Sequence, residues 1–202
     1  MDLAIFALTF GAIFLVELPD KTFIAALVLS TRYQPLAVWI GVGLAFGVQT
    51  VVAVTAGALA TLLPDVLIRS VAFLIFLIGA IVLVRTAPGA DAAEKEQEEE
   101  YAAKATVQRS FPKAIVASFL VLFAAEWGDL SQLLTISFVT KYNDHVSVFL
   151  GAWVALLTVS GLAVLAGRVL LRYMKLSLLH YIGGAVCAVL AAFALVEAIA
   201  AV

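Results

Sequence analysis

Long apolar runs separated by short polar turns dominate this chain. A transmembrane helix needs roughly 17–25 predominantly apolar residues, and six segments meet that length. They cover residues 3–31, 36–63, 66–84, 111–139, 146–171 and 176–202. The third and fourth are separated by a polar stretch rich in glutamate. The pattern predicts an all-α integral membrane protein with six transmembrane helices in two sets of three.

Composition supports the membrane assignment. Hydrophobic residues make up 64% of the chain, and charged residues make up 13%, about half the usual share of a soluble domain. Mean hydropathy is +1.13, so the expected surroundings are the lipid bilayer. The net charge is −2, and without a basic stripe we expect no nucleic-acid partner. The predicted domains are a first three-helix repeat (1–87), an acidic linker that could include a short solvated helix (88–110) and a second repeat (111–202).

Two acidic motifs lie inside apolar segments. They read Glu17-Leu18-Pro19-Asp20-Lys21-Thr22 and Glu126-Trp127-Gly128-Asp129-Leu130-Ser131-Gln132. Their glutamates, their aspartates and their hydroxyl residues are each 109 positions apart. A charge at the bilayer centre costs roughly 2.5–3.5 kcal/mol on insertion scales, so such residues usually serve a function. The duplication predicts one site built from both halves.

The residue types in these motifs favour a hard cation. A glutamate and an aspartate three positions apart share a helical face. Pro19 lacks an amide hydrogen and Gly128 loosens the backbone, so the first and fourth helices are expected to be broken and to expose carbonyl oxygens. The candidate ligands are the carboxylates of Glu17, Asp20, Glu126 and Asp129, with neutral oxygens from Thr22, Ser131 and Gln132. An oxygen-rich set suits Mg²⁺, Ca²⁺ or Mn²⁺.

The same carboxylates couple the cation to protons. Four carboxylates crowded in a low dielectric cannot all stay ionised, so an emptied site is expected to take up protons, which a divalent cation would displace. Lys21 is placed to pair with Glu17 one helical turn away. We expect neither an enzyme nor a cofactor. His145 and His180 are expected at membrane interfaces, and Cys187 as a packed hydrophobe.

Basic residues predict the orientation. Nine lie on one side of the predicted spans: Arg32, Arg85, Lys95, Lys104, Arg109, Lys113, Arg168, Arg172 and Lys175. Two lie on the other side, Arg69 and Lys141. The positive-inside rule therefore puts the linker in the cytoplasm and both termini outside. Because each half has an odd number of spans, the second repeat is inverted relative to the first, as in many secondary transporters.

The paired motifs resemble the Gdt-one family of small six-span membrane proteins. That family includes bacterial manganese exporters and the Golgi and chloroplast calcium/manganese–proton exchangers, and its hallmark is two Glu-x-Gly-Asp-Lys/Arg-Thr/Ser motifs. Pro19 replaces the glycine of the first motif, and Leu130 replaces the basic residue of the second. The resemblance implies divalent-cation transport with the four motif carboxylates as ligands. The length of the chain looks bacterial, which implies manganese efflux across the inner membrane.

The sequence thus predicts Mn²⁺ efflux coupled to proton influx through a midplane site. A Ca²⁺/H⁺ antiporter of the same architecture is the nearest alternative. An exporter of small organic cations and a membrane scaffold that uses the motifs as helix clamps are further alternatives. A homodimer is compatible with all of these hypotheses.

Overall fold

The structure is a computed structural model that describes residues 1–18, 21–104, 110–173 and 176–200. This part of the chain forms helices and no strand, which confirms the predicted all-α class. The helices are α1 (Leu3–Glu17), α2 (Lys21–Arg32), α3 (Pro35–Ala60), α4 (Asp65–Thr86), a 3₁₀ turn (Ala87–Gly89), α5 (Ala90–Lys104), α6 (Phe111–Ala125), α7 (Leu130–Tyr142), α8 (His145–Tyr173) and α9 (Leu176–Ala200).

Local sequence explains several helix ends. The Asp2 carboxylate accepts hydrogen bonds from the amides of Ala4 and Ile5, at 2.8 and 3.3 Å, and so caps α1. Pro35 begins α3, where its missing amide hydrogen costs no hydrogen bond. At the end of α7, Asn143 has φ 51°, a left-handed conformation that asparagine tolerates better than most residues.

Both acidic motifs coincide with an interruption of the helix. α1 and α2 meet at 70°, and α6 and α7 meet at 73°. The expectation of broken first and fourth helices is therefore met, because each half begins with two short helices instead of one straight span.

Within the described residues, three helices are long and apolar enough to cross a membrane, and the number rises to five if each bent pair is one span. The three are Pro35–Ala60, Val66–Gly89 and His145–Ala166. In α9 the apolar stretch is shorter and covers His180–Val196. The chain is thus a helical membrane protein with spans in both halves.

Helices of the first half pack on helices of the second. α1 contacts α8, α3 contacts α6, and α4 contacts α9. Two glycines allow close approach to the backbone of a neighbouring helix. A Cβ on Gly151 would lie 2.7 Å from the Phe6 carbonyl oxygen of α1, and one on Gly41 would overlap the Ile115 carbonyl oxygen of α6. Small residues therefore let α8 and α3 touch neighbouring backbones, as is common between membrane helices.

Two tryptophans hold the crossing of α3 and α8. The indole nitrogen of Trp39 donates to the Leu157 carbonyl at 2.9 Å. The indole nitrogen of Trp153 donates to the Gly43 carbonyl, also at 2.9 Å. These two bonds connect α3 of the first half to α8 of the second half, and α3 and α8 in turn contact the helices on both sides of the breaks.

The acid-rich segment forms α5, which packs against α2 and α9. Tyr101 is 6% exposed and Ala90 is 2% exposed, whereas Glu96 and Glu99 are exposed. One side of α5 is therefore docked on the bundle and the other is acidic and solvated. Its polar composition gave no sign of this docking.

Candidate cation-binding site

The second motif occupies the break between α6 and α7. α6 ends at Ala125, α7 begins at Leu130, and Gly128 between them has φ +76°. An L-residue with a side chain rarely adopts that φ, so glycine suits the sharp turn. The expectation that Gly128 loosens the backbone here is confirmed.

Glu126 and Asp129 do not share a helical face, so that expectation is wrong. Glu126 follows the last turn of α6 with φ −106° and ψ 19°, and Asp129 precedes the first turn of α7 with φ −70° and ψ 162°. The helical period does not continue between them, because Gly128 has a positive φ and α6 and α7 meet there at 73°. Their spacing along the chain therefore says nothing about the direction of their side chains.

Glu126 is buried and Asp129 is half-buried. The Glu126 side chain is 2% exposed. One carboxylate oxygen of Asp129, Oδ2, is buried and accepts no hydrogen bond from any described residue. Glu126 also lies at the carboxyl end of α6, where the helix dipole and the last carbonyl groups favour a positive charge. Broken membrane helices commonly use such ends to hold cations.

Gln132 braces the break. Its side-chain nitrogen donates to the Glu126 carbonyl at 2.6 Å. Its side-chain oxygen accepts from the Gly128 amide at 3.2 Å. One carboxamide thereby satisfies two backbone groups that the unwound segment leaves outside the helical ladder. The sequence predicted Gln132 as a neutral oxygen donor, and in this structure its carboxamide positions the turn.

A small cavity of about 10 Å³ lies beside Glu126, close to the space that one water molecule needs. Ser131, Gln132 and Thr135 line it from α7, and Gln49 and Thr50 line it from α3. Its polar wall is made of side-chain oxygens and amides, which are groups suited to a hard cation or its water.

Sequence reasoning missed Gln49. This side chain is 3% exposed and donates to the Phe123 carbonyl of α6 at 3.2 Å. It thereby ties α3 to the last turn before Glu126. A signal was available, since Gln49 stands near the middle of an otherwise apolar span, where a polar side chain is costly unless it has a partner.

The first motif lies at the corresponding break. Glu17 is the last residue of α1 and is 1% exposed. Thr22, in the first turn of α2, is fully buried, and its hydroxyl has no hydrogen-bond partner among the described residues. Pro19, Asp20 and the side chain of Lys21 lie outside the described residues. The roles predicted for those three stay predictions.

Three of the four motif carboxylates, those of Glu17, Glu126 and Asp129, belong to the described residues. Among the described residues, no three side chains of His, Cys, Asp and Glu are grouped closely enough to hold a metal ion, and Asp20 falls outside that part of the chain. Neither histidine lines the cavity. His145 begins α8, and the ring of His180 lies 3.4 Å from the Thr86 hydroxyl. Cys187 is buried, as the sequence predicts.

Comparison with known proteins assigns the family. A family profile described as "Divalent cation/proton antiporter GDT1" matches residues 5–91 and 114–201. The chain is 28% identical over 95% of its length to Protein PAM71, chloroplastic, of Arabidopsis thaliana, and covers 56% of that protein. It is 32% identical over 76% of its length to GDT1-like protein sll0615 of Synechocystis, and covers 80% of that protein.

A third relative is Protein PAM71-homolog, chloroplastic, of Arabidopsis thaliana, which is 30% identical over 93% of this chain. The chain spans 58% of that relative's length, so little more than half of each plant protein is represented. No solved structure matches the chain. Because the family profile covers both halves and both acidic motifs, the chain belongs to the GDT1 family of divalent cation/proton antiporters.

Proposed function

We propose that this chain exports Mn²⁺ from the cytoplasm in exchange for protons. The observation that carries the proposal is the pair of buried glutamates, Glu17 and Glu126, each at the end of a helix that breaks inside an apolar span. The family profile supports the antiport reaction. The proposal adds three points to that reaction: the cation is manganese, transport is outward, and the membrane is a bacterial inner membrane.

The coupling follows from the cost of a buried charge. A carboxylate removed from water is stable only when a proton, a cation or a hydrogen-bond network neutralises it. At Glu126, a proton and a divalent cation compete for the same carboxylate, so binding of one releases the other. Exchange of the two across the membrane then needs no other energy source than the proton gradient.

In the proposed site, Glu17, Asp20, Glu126 and Asp129 bind the cation and carry the protons. Thr22 and Ser131 add neutral oxygens. Gln132 orients the second break, and Gln49 holds α3 against it.

The oxygen-rich donor set suits Mn²⁺, Ca²⁺ and Mg²⁺ alike. Manganese is the proposed cargo because the paired motifs resemble those of bacterial manganese exporters, and Ca²⁺ is the alternative.

We also propose that the two halves form an inverted repeat of six spans. Matched contacts support it. Gly41 packs on α6 near Ser118, and Gly151 packs on α1 near Thr9. Thr9 and Ser118 are 109 positions apart, as the motif glutamates are, and both are fully buried. Rocking of one half against the other would open the site alternately to each side.

The proposed orientation follows the basic residues, with α5 in the cytoplasm and both termini outside. A homodimer is compatible with this arrangement. The exchange reaction requires only one copy of the chain, since both motifs belong to the same chain.

The test is flux in proteoliposomes that contain a metal reporter and a pH dye. A proton gradient is imposed, and Mn²⁺, Ca²⁺ or Mg²⁺ is added in turn. Purified wild-type protein should move Mn²⁺ against protons, and Glu126→Gln should reduce both fluxes to the level of empty vesicles. Glu99→Gln makes the same change on the exposed side of α5 and should transport normally.

The outcomes separate the alternatives. Coupled flux with Ca²⁺ and none with Mn²⁺ would make the protein a calcium antiporter. Flux that millimolar lysine inhibits and metals do not would indicate an organic-cation exporter. If the wild-type protein moves no ion and Glu126→Gln lowers its stability, the result would indicate a scaffold.

A further inference from the structure

The small cavity beside Glu126 lies between the two halves of the chain. Its walls come from α3 in the first half, and from Glu126, α7 and α8 in the second half. Two of its polar residues, Thr50 of α3 and Thr135 of α7, lie outside the acidic motifs. Thr50 is 3% exposed and Thr135 is 2% exposed, so both side chains are withdrawn from lipid and from bulk water.

Each of these threonine hydroxyls donates its hydrogen within its own helix. Thr50 donates to the Phe46 carbonyl at 2.7 Å, and Thr135 donates to the Ser131 carbonyl, also at 2.7 Å. Because a hydroxyl has one hydrogen and two lone pairs, each oxygen keeps its capacity as an acceptor. Such an oxygen can bind a hard cation, as the hydroxyl of a phosphate-binding loop binds Mg²⁺. Glu126, which lines the same cavity, would supply the negative charge.

The positions that correspond to this cavity at the first break are mostly apolar. Between α2 and α7 the offset is 109 positions, as between the motifs, and between α3 and α8 it is 110, as between Gly41 and Gly151, which pack on α6 and α1 in matched ways. These offsets pair three polar residues at the cavity with three buried apolar residues: Gln132 with Phe23, Thr135 with Ala26, and Gln49 with Val159.

The pairing of Thr135 with Ala26 bears on the role of its hydroxyl. Since alanine is sufficient at the equivalent position of α2, the repeated fold requires no hydroxyl there. The hydroxyl of Thr135 is therefore best explained by what the cavity holds.

We propose that Thr50 and Thr135 supply neutral oxygen ligands to the transported divalent cation when it occupies the cavity beside Glu126. This inference rests on the proposed function and adds two ligands from outside the acidic motifs. Because Thr50 belongs to the first half and Thr135 to the second, the cation is held between the halves. Rocking of one half against the other would separate the two hydroxyls and release the cation.

Binding of Mn²⁺ to the purified full-length protein in detergent tests the proposal. The free Mn²⁺ at each step of a titration is measured from its electron paramagnetic resonance signal. Thr50→Val and Thr135→Val keep the branched shape of the side chain but replace the hydroxyl with a methyl group. Each should lower the affinity for Mn²⁺ by at least about 10-fold, because loss of a residue that merely supports a metal ligand already costs roughly 10- to 100-fold. Thr50→Ser and Thr135→Ser keep the oxygen and should bind Mn²⁺ nearly as well as wild type.

Two control variants separate a cation ligand from an ordinary helix contact. Thr55→Val removes a hydroxyl that donates to its own helix in the same way, on the exposed surface of α3 outside the cavity. Ser160→Ala removes the hydroxyl at the position of α8 that corresponds to Thr50. Both controls should bind Mn²⁺ like wild type. Thermal unfolding of each variant in detergent verifies that the protein remains folded.

Unchanged Mn²⁺ affinity in either valine variant would overturn the role of that threonine. An equal loss of affinity in Thr55→Val or Ser160→Ala would also contradict the proposal, because it would show a general effect of removing a hydroxyl from a helix. So would serine variants that bind as weakly as the valine variants.

Glu126→Gln separates this inference from the proposed function. If Glu126→Gln loses Mn²⁺ binding and both valine variants keep it, the carboxylate site stands and the threonine ligands are wrong. A wild-type protein that binds no Mn²⁺ would contradict both the proposed manganese transport and the threonine ligands.

Discussion

Replacement of Gln132 tests whether this residue holds the helix break or binds the cation directly. In the structure its nitrogen donates to the Glu126 carbonyl and its oxygen accepts from the Gly128 amide. Gln132→Ala removes both bonds. Gln132→Glu keeps an oxygen for the Gly128 amide but loses the nitrogen donor, and its ionised carboxylate would face the Glu126 carbonyl oxygen.

The expected magnitude follows from the two bonds. A hydrogen bond in a protein contributes about 0.5–1.5 kcal/mol net, so loss of both costs the ordered turn about 1–3 kcal/mol. If that cost falls on the conformation that binds the cation, apparent affinity drops roughly 5- to 150-fold. A bracing role predicts that Gln132→Glu is impaired about as much as Gln132→Ala, because the donor to Glu126 is absent from both.

The assay is initial Mn²⁺ uptake into proteoliposomes as a function of Mn²⁺ concentration, for wild type and both variants. Under the bracing role, both variants need several-fold more Mn²⁺ for half-maximal flux. A direct ligand predicts the opposite for Gln132→Glu, because a carboxylate binds a hard cation more strongly than a carboxamide does. If Gln132→Glu reaches half-maximal flux at the same Mn²⁺ concentration as wild type, or at a lower one, the bracing role is refuted.

Three further predictions concern backbone, packing and pH, and thermal unfolding in detergent measures each. Gly128→Ala should destabilise the protein by about 1–2 kcal/mol because alanine is strained at φ +76°, whereas Gly11→Ala, also without a steric clash, should stabilise α1 by about 0.5–1 kcal/mol. Gly151→Ala should cost about 1–3 kcal/mol, because the added methyl group would meet the backbone of α1. The pKa of Asp144 is lowered from 3.8 to about 2, chiefly by the hydrogen bond from the Ser147 hydroxyl. Its stabilising effect should therefore be present above the ordinary pKa of 3.8 and be lost as the pH falls through about 2, so Asp144→Asn should be less stable than wild type at pH 7, and this difference should shrink as the pH is lowered to 2.

Each of these predictions has a clear contrary result. If alanine changes the stability of the protein equally at Gly128 and at Gly11, the result would contradict the role of the positive φ at Gly128. An unchanged midpoint of thermal unfolding for Gly151→Ala would show that α1 and α8 can move apart without loss of stability. A stability difference for Asp144→Asn that is the same at pH 7 and pH 2 would contradict its titration between the two.

Several features of this protein could be predicted from its sequence because their causes are local. Long apolar runs predict membrane helices whatever their packing, and a glycine or a proline beside a buried charge predicts a break. Repetition of the acidic motif at a constant offset of 109 positions placed Glu17 and Glu126 at equivalent points of the two halves. Both glutamates are indeed buried at helix ends.

The rule that residues three positions apart share a helical face does not hold at the second motif. The spacing of Glu126 and Asp129 places them on one face only if the helix continues through Gly128, and the structure ends α6 before that point. The same glycine that predicts a break thus removes the helical period on which the face argument depends. Between two helices, the direction of each side chain is set by the turn and its bracing contacts.

Contacts between distant residues required the tertiary structure. Gln49 reaches the last turn of α6 because α3 packs against it, and nothing in the sequence near Gln49 identifies that neighbour. The docking of α5 through Tyr101 and the convergence of Thr50 and Thr135 on one cavity depend on helix packing in the same way. Hydrophobicity determines which segments enter the membrane, but it barely distinguishes one apolar neighbour from another, so the partners of each helix were decided by close packing in three dimensions.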